Sequence, residues 1–98
     1  MPTSRADVTT DAPERYAKQL ASHLGRRLEV REEGPATRLV LDADGRAASC
    51  LLVPGDGVLV MEAEAPDDEV LARVEDVVGR HLERFGQRSE LVVRWQRA

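Results

Sequence analysis

The chain is poor in aromatic residues, cysteine and lysine. Only 3% of its 98 residues are Phe, Trp or Tyr, so a core must be built from Leu, Val and Ala. The single cysteine, Cys50, excludes a disulfide framework within the chain and fits a reducing compartment. Lys18 is the sole lysine; the other thirteen of the fourteen basic residues are arginine. They are interleaved with 18 acidic residues for a net charge of −4, which argues against the basic face of a nucleic-acid binder. No apolar run approaches the ~20 residues needed to cross a membrane. The opening residues, Met1-Pro2-Thr3-Ser4-Arg5-Ala6-Asp7, hold no signal-peptide core. G-x-G-x-x-G, P-loop and G-x-S-x-G sequences are missing too. The expectation is one cytoplasmic domain over residues 1–98, with no membrane or nucleic-acid partner and no cofactor motif.

What is present is periodicity. Ser4 to Thr9 alternates as a strand, with Ala6 and Val8 on one side. A helix follows, with Asp11 as its expected cap, Pro13 in its first turn and Glu14 placed as in a capping box. Tyr16, Leu20, His23 and Leu24 recur at helical spacing, and Gly25 supplies a left-handed stop. Four strands come next: Leu28 to Glu32, Thr37 to Asp42, Arg46 to Val53 and Val58 to Ala65. Gly34-Pro35, Asp44-Gly45 and Pro54-Gly55-Asp56-Gly57 turn the chain between them. Glu62 and Glu64 must face water, which turns Leu59, Met61 and Ala63 inward. Pro66-Asp67-Asp68-Glu69 opens a second helix with the stripe Leu71, Val74, Val78, His81 and Phe85, closed by Gly86. Glu90 to Gln96 is the sixth strand, with Leu91, Val93 and Trp95 inward.

The order β-α-β-β-β-β-α-β gives an α+β fold, a six-stranded, mostly antiparallel sheet with both helices on one face. Right-handed crossovers make the first strand parallel to the second and the fifth parallel to the sixth. A sheet order of 6-1-5-4-3-2 satisfies both. It is similar to the TATA-box-binding-protein layer in architecture alone, with no bearing on DNA binding.

The two histidines occupy matching places. His23 and His81 each lie on the apolar face of a helix, shortly before a glycine and an arginine. Burying an imidazole is costly unless it is bonded, so each needs a partner. His81 should be mostly buried with a ring nitrogen bonded to protein, and His23 less so.

Tyr16-Ala17-Lys18-Gln19-Leu20 with His23, the Cys50 strand, and Val77-Val78-Gly79-Arg80-His81-Leu82-Glu83-Arg84-Phe85 with Arg88 and Glu90-Leu91 carry a resemblance. Over nearly the whole chain it resembles a bacterial family of small uncharacterised proteins, the domain-of-unknown-function family numbered 2218. Some members of that family carry another histidine or basic residue where Gly25 and Arg26 stand; if that position serves a ligand, this chain lacks it. Some are fused to, or encoded near, siderophore-interacting flavin reductases. The resemblance therefore implies an accessory role in iron utilisation.

Three constellations stand beside that resemblance. His23, Cys50 and His81 all point by periodicity into the layer between sheet and helices, and imidazole and thiolate suit a transition metal. Their spacing matches no known metal motif, and bonded core-edge histidines with a small buried thiol are the ordinary alternative. A Cys–His nucleophile would need an exposed, low-pKa thiolate, which a mid-strand, inward Cys50 opposes. Arg26, Arg27, Arg84 and Arg88 follow the two helix ends and would gather for an anion if those ends are neighbours. The ordinary alternative is charge matching to the helix dipoles. Glu75-Asp76 is expected to face solvent, so Glu75→Gln should be nearly silent.

Sheet alternation leaves Val40, Leu51, Val53, Val58, Val60 and Val92 on the uncovered side. A contiguous apolar patch there marks a partner surface. The leading expectation is a non-enzymatic interaction module that uses this face, as a homodimer or with a protein partner. A metal- or iron-linked accessory protein using His23, Cys50 and His81 comes second, and a small Cys–His enzyme third. No cofactor is expected unless that second reading brings a transition metal.

Overall fold

Alternation along the strands decides what the helices cover. In the computed structural model, which describes residues 2–43 and 46–98, the chain runs β1 (Thr3–Thr9), α1 (Pro13–Leu24), β2 (Glu29–Glu33), β3 (Ala36–Ala43), β4 (Arg46–Pro54), β5 (Val58–Glu64), α2 (Asp68–Phe85), a 3-10 turn (Gln87–Ser89) and β6 (Gln96–Arg97). The sheet order is β2-β3-β4-β5-β1-β6, the order expected from the crossover rule, and every neighbouring pair is antiparallel. The Asp44-Gly45 turn lies outside the described residues.

The inward residues are the expected ones. Ala6, Val8, Leu39, Leu41, Ala48, Cys50, Leu52, Leu59, Met61 and Ala63 are all buried. From the helices, Tyr16, Leu20 and Leu24 meet Leu71, Val74, Val78 and Leu82 above them. Asp67 caps α2 by accepting the Val70 N–H at 2.9 Å. Each helix runs back against the strand before it, and β1 and β5 are antiparallel, so α1 and α2 are antiparallel to each other.

Four expectations need correction. Ala12, not Asp11, is the N-cap of α1; no side chain caps it, and Thr10 Oγ1 takes the Ala12 N–H at 3.1 Å. Gly25 keeps right-handed backbone (φ −62°), because the chain winds on through Arg27 and Leu28, whose N–H groups both bond Leu24 O. The second strand begins one residue late, at Glu29. The largest difference is the sixth strand, where only Gln96 and Arg97 pair with β1. Residues 91–95 lean on α2 instead. Glu83 takes the Val93 N–H at 3.0 Å, and the Trp95 ring N–H donates to Glu75 O at 3.1 Å. Two glycines admit this strap. A Cβ on Gly79 would meet Trp95 Nε1 at 3.0 Å, and one on Gly86 would stand 2.2 Å from Leu91.

Candidate functional site

Both helices cover one face of the sheet, so the other lies open. Leu51 and Val53 on β4 and Val58 and Val60 on β5 form a half-buried apolar strip there, with Val53 directly opposite Val60. Charge of both signs borders it. Arg5 bonds Asp7 at 2.8 Å and approaches Glu62 at 3.9 Å; Arg38 bonds Glu33 at 2.6 Å and Ser49 at 3.0 Å. Arg5, Arg38, Leu51, Glu62 and Glu64 line a concavity of about 510 Å³ on this face.

The six apolar residues expected to share one patch fall in three places. Val40 is opposite Ser49, and Arg38, opposite Leu51 and bonded to Ser49, interrupts the row between Val40 and the strip. Val92 is the one strongly exposed member, at 55%, and lies in the segment that failed to join the sheet. It stands beside Asp7 and Thr9, which separate it from Val60 and Val58.

On the helix side, the two histidines do meet. Their ring centroids lie 5.1 Å apart, and Phe85 sits edge-on to His23 at 5.3 Å. His81 is half-buried and its Nδ1 lies 2.6 Å from Val77 O, while His23 is exposed. A carbonyl can only accept, so Nδ1 carries the proton and donates. Cys50 does not join them. It is fully buried on β4, and burial pushes its thiol up to about 12, which removes it as a thiolate nucleophile at neutral pH. Among the described residues, no three His, Cys, Asp or Glu side chains stand where they could hold a metal ion.

The four arginines divide. Arg26 and Arg27 line a cavity with His23, Val77 and His81, beside the middle of α2. Arg84 and Arg88, on the last turn of α2 and the 3-10 turn after it, do not line that cavity; beside Arg88, Tyr16 Oη reaches Ser89 Oγ at 3.4 Å.

Sequence reasoning missed one polar cluster. Glu75 is not a solvated surface acid: its side chain is 14% exposed, takes the Ser4 hydroxyl at 2.6 Å and pairs with Arg97 at 2.9 Å. Burial pushes its carboxyl up, yet the bonds from Arg97 and Ser4 and the charge of Arg97 outweigh that and hold it below the ordinary carboxylate range. Ser4 was the available signal, a hydroxyl on the inward side of a strand with Ala6 and Val8.

No curated protein matches the chain. Among solved structures, the NMR structure of PA4090 from Pseudomonas aeruginosa is similar over 98% of this chain and 96% of that one, with 28% identity and a TM-score of 0.77. Residues 5–96 match the family described as an uncharacterized protein conserved in bacteria, and the chain belongs to it, the domain-of-unknown-function family 2218.

Proposed function

We propose that this protein is a non-enzymatic cytoplasmic binding module that pairs with a second copy of itself through the open sheet face. One observation carries the reading: an apolar strip of Leu51, Val53, Val58 and Val60 on an uncovered face, bordered by acids and arginines in alternation. A two-fold pair brings the same patch against itself, so a face of one sign would repel its copy. Here Arg5 and Arg38 can meet Glu62 and Glu64 of the other copy. The buried, inert thiol of Cys50 favours binding over covalent catalysis.

Dilution tests this. Backbone amide resonances recorded from about 1 mM to about 20 μM protein should shift at Leu51, Val53 and Val60 and stay fixed along both helices. Resonances that do not move at any position, together with the tumbling time of a 10.8 kDa monomer at the highest concentration, would sink self-association.

A further inference from the structure

We infer that the groove between the two helices is a second binding site, for a small carboxylate carried on an apolar body. The groove is a cavity of about 430 Å³ lined by His23, Leu24, Arg26, Arg27, Leu28, Val77 and His81, a size ordinary for small-ligand sites. Its floor is hydrocarbon from Leu24, Leu28 and Val77. Its charged lining groups are two guanidiniums, with no acid, in a protein whose net charge is −4.

The polar groups here are unspent. Neither Arg26 nor Arg27 has an ion-pair partner among the described residues. His81 commits Nδ1 to Val77 O, which leaves Nε2 for a ligand, and His23 packs against the His81 and Phe85 rings with no hydrogen-bond partner among the described residues. Two of the carbonyls at the end of α1, which oppose an anion, are already taken: Ala21 O by Gly25 N–H, and Leu24 O by Arg27 and Leu28 N–H. A guanidinium matches a carboxylate in a two-bond fork, and the apolar floor takes the rest of the ligand. Two imidazoles at this separation also suit a transition metal. Here their neighbours are cations and no carboxylate or thiolate joins them, which disfavours a metal cation.

The site is on the helix side, so it is independent of pairing through the sheet. The test is titration of the isotope-labelled full chain with octanoate, followed at backbone amides and imidazoles. The expected result is saturable shifts at His23, Leu28, Val77 and His81. Arg26→Gln with Arg27→Gln should weaken binding about tenfold or more, while Arg84→Gln with Arg88→Gln changes it less than about twofold. Octanol, with the same body and no charge, should bind about tenfold or more weaker than octanoate. The sheet-face variant Leu51→Lys with Val60→Lys should bind octanoate as the native chain does. Equal weakening in both arginine pairs would overturn the site. Inorganic phosphate binding as tightly as octanoate would overturn the apolar body. Zinc shifting both imidazoles where octanoate shifts neither would overturn the ligand class in favour of a metal.

Discussion

Leu51 and Leu52 are adjacent on one strand and live in different surroundings. Leu52 is sealed under the helices with Leu39, Met61 and Leu71, and is 0% exposed. Leu51 faces away, opposite Arg38 and Glu62, and is half-buried with no helix over it. The same residue type serves packing on one face and is left for association on the other. A single residue of register separates the two roles.

The sharpest way to break the covered face is to place a charge in it. Val78→Asp puts an unpaired carboxylate where exposure is 0%; its cost of several kcal/mol against a total of about 5–15 should leave the chain unfolded or nearly so. Circular dichroism checks it. Leu52→Ala should cost about 2–5 kcal/mol, whereas Leu51→Lys should stay within about 0.5 kcal/mol on denaturant unfolding. Similar costs at the two positions would show that the sheet faces were misassigned.

The covered face is also closed by polar bonds at its β1 edge, and these titrate. Glu75→Ala leaves the buried Ser4 hydroxyl without its partner and should cost about 1–3 kcal/mol, with Glu75→Gln nearer about 1 because an amide can still bond Ser4. The carboxyl is held below its ordinary range in the folded state, so its contribution is present above the unfolded pKa. It is lost as pH falls through the folded pKa. The native chain should therefore lose more stability than Glu75→Gln on acidification below the ordinary carboxylate range, as melting curves at stepped pH will register. Cys50 gives the smallest effect. Its buried thiol should react with an alkylating reagent only on unfolding, so labelling should be negligible for the native chain and rapid in denaturant.

Much of this was legible in the residues. Glu62 and Glu64 settled which side of β5 faces water, and crossover handedness then led to the full strand order. The interior of the sheet followed from alternation because both neighbours of each central strand are strands. The C-terminal segment broke that logic. Val93 and Trp95 alternate like strand residues, yet their polar partners are Glu83 and Glu75, chosen by the approach of α2. A pattern along one segment cannot name a partner ten or twenty residues away. For the same reason the Glu75–Ser4–Arg97 cluster was missed and Glu75 looked like a surface acid: inward Ser4 signalled a need for a partner without naming it. His23 and His81 were expected to point with Cys50 into the layer between sheet and helices; instead the two rings meet each other, with His81 half-buried and His23 exposed, because the helices pack side by side at that point. Of the four arginines expected to follow the two helix ends, Arg26 and Arg27 share a cavity that Arg84 and Arg88 do not line, a grouping that depends on how the helices pack and not on the pattern of either one.

Sedimentation velocity on the native chain and on Leu51→Lys with Val60→Lys tests the role of the open face most directly. The native protein should sediment as a dimer at high micromolar concentration, and the double variant as a folded monomer with unchanged circular dichroism. A native chain that remains monomeric across that range, or a double variant that still dimerises, would contradict pairing through this face.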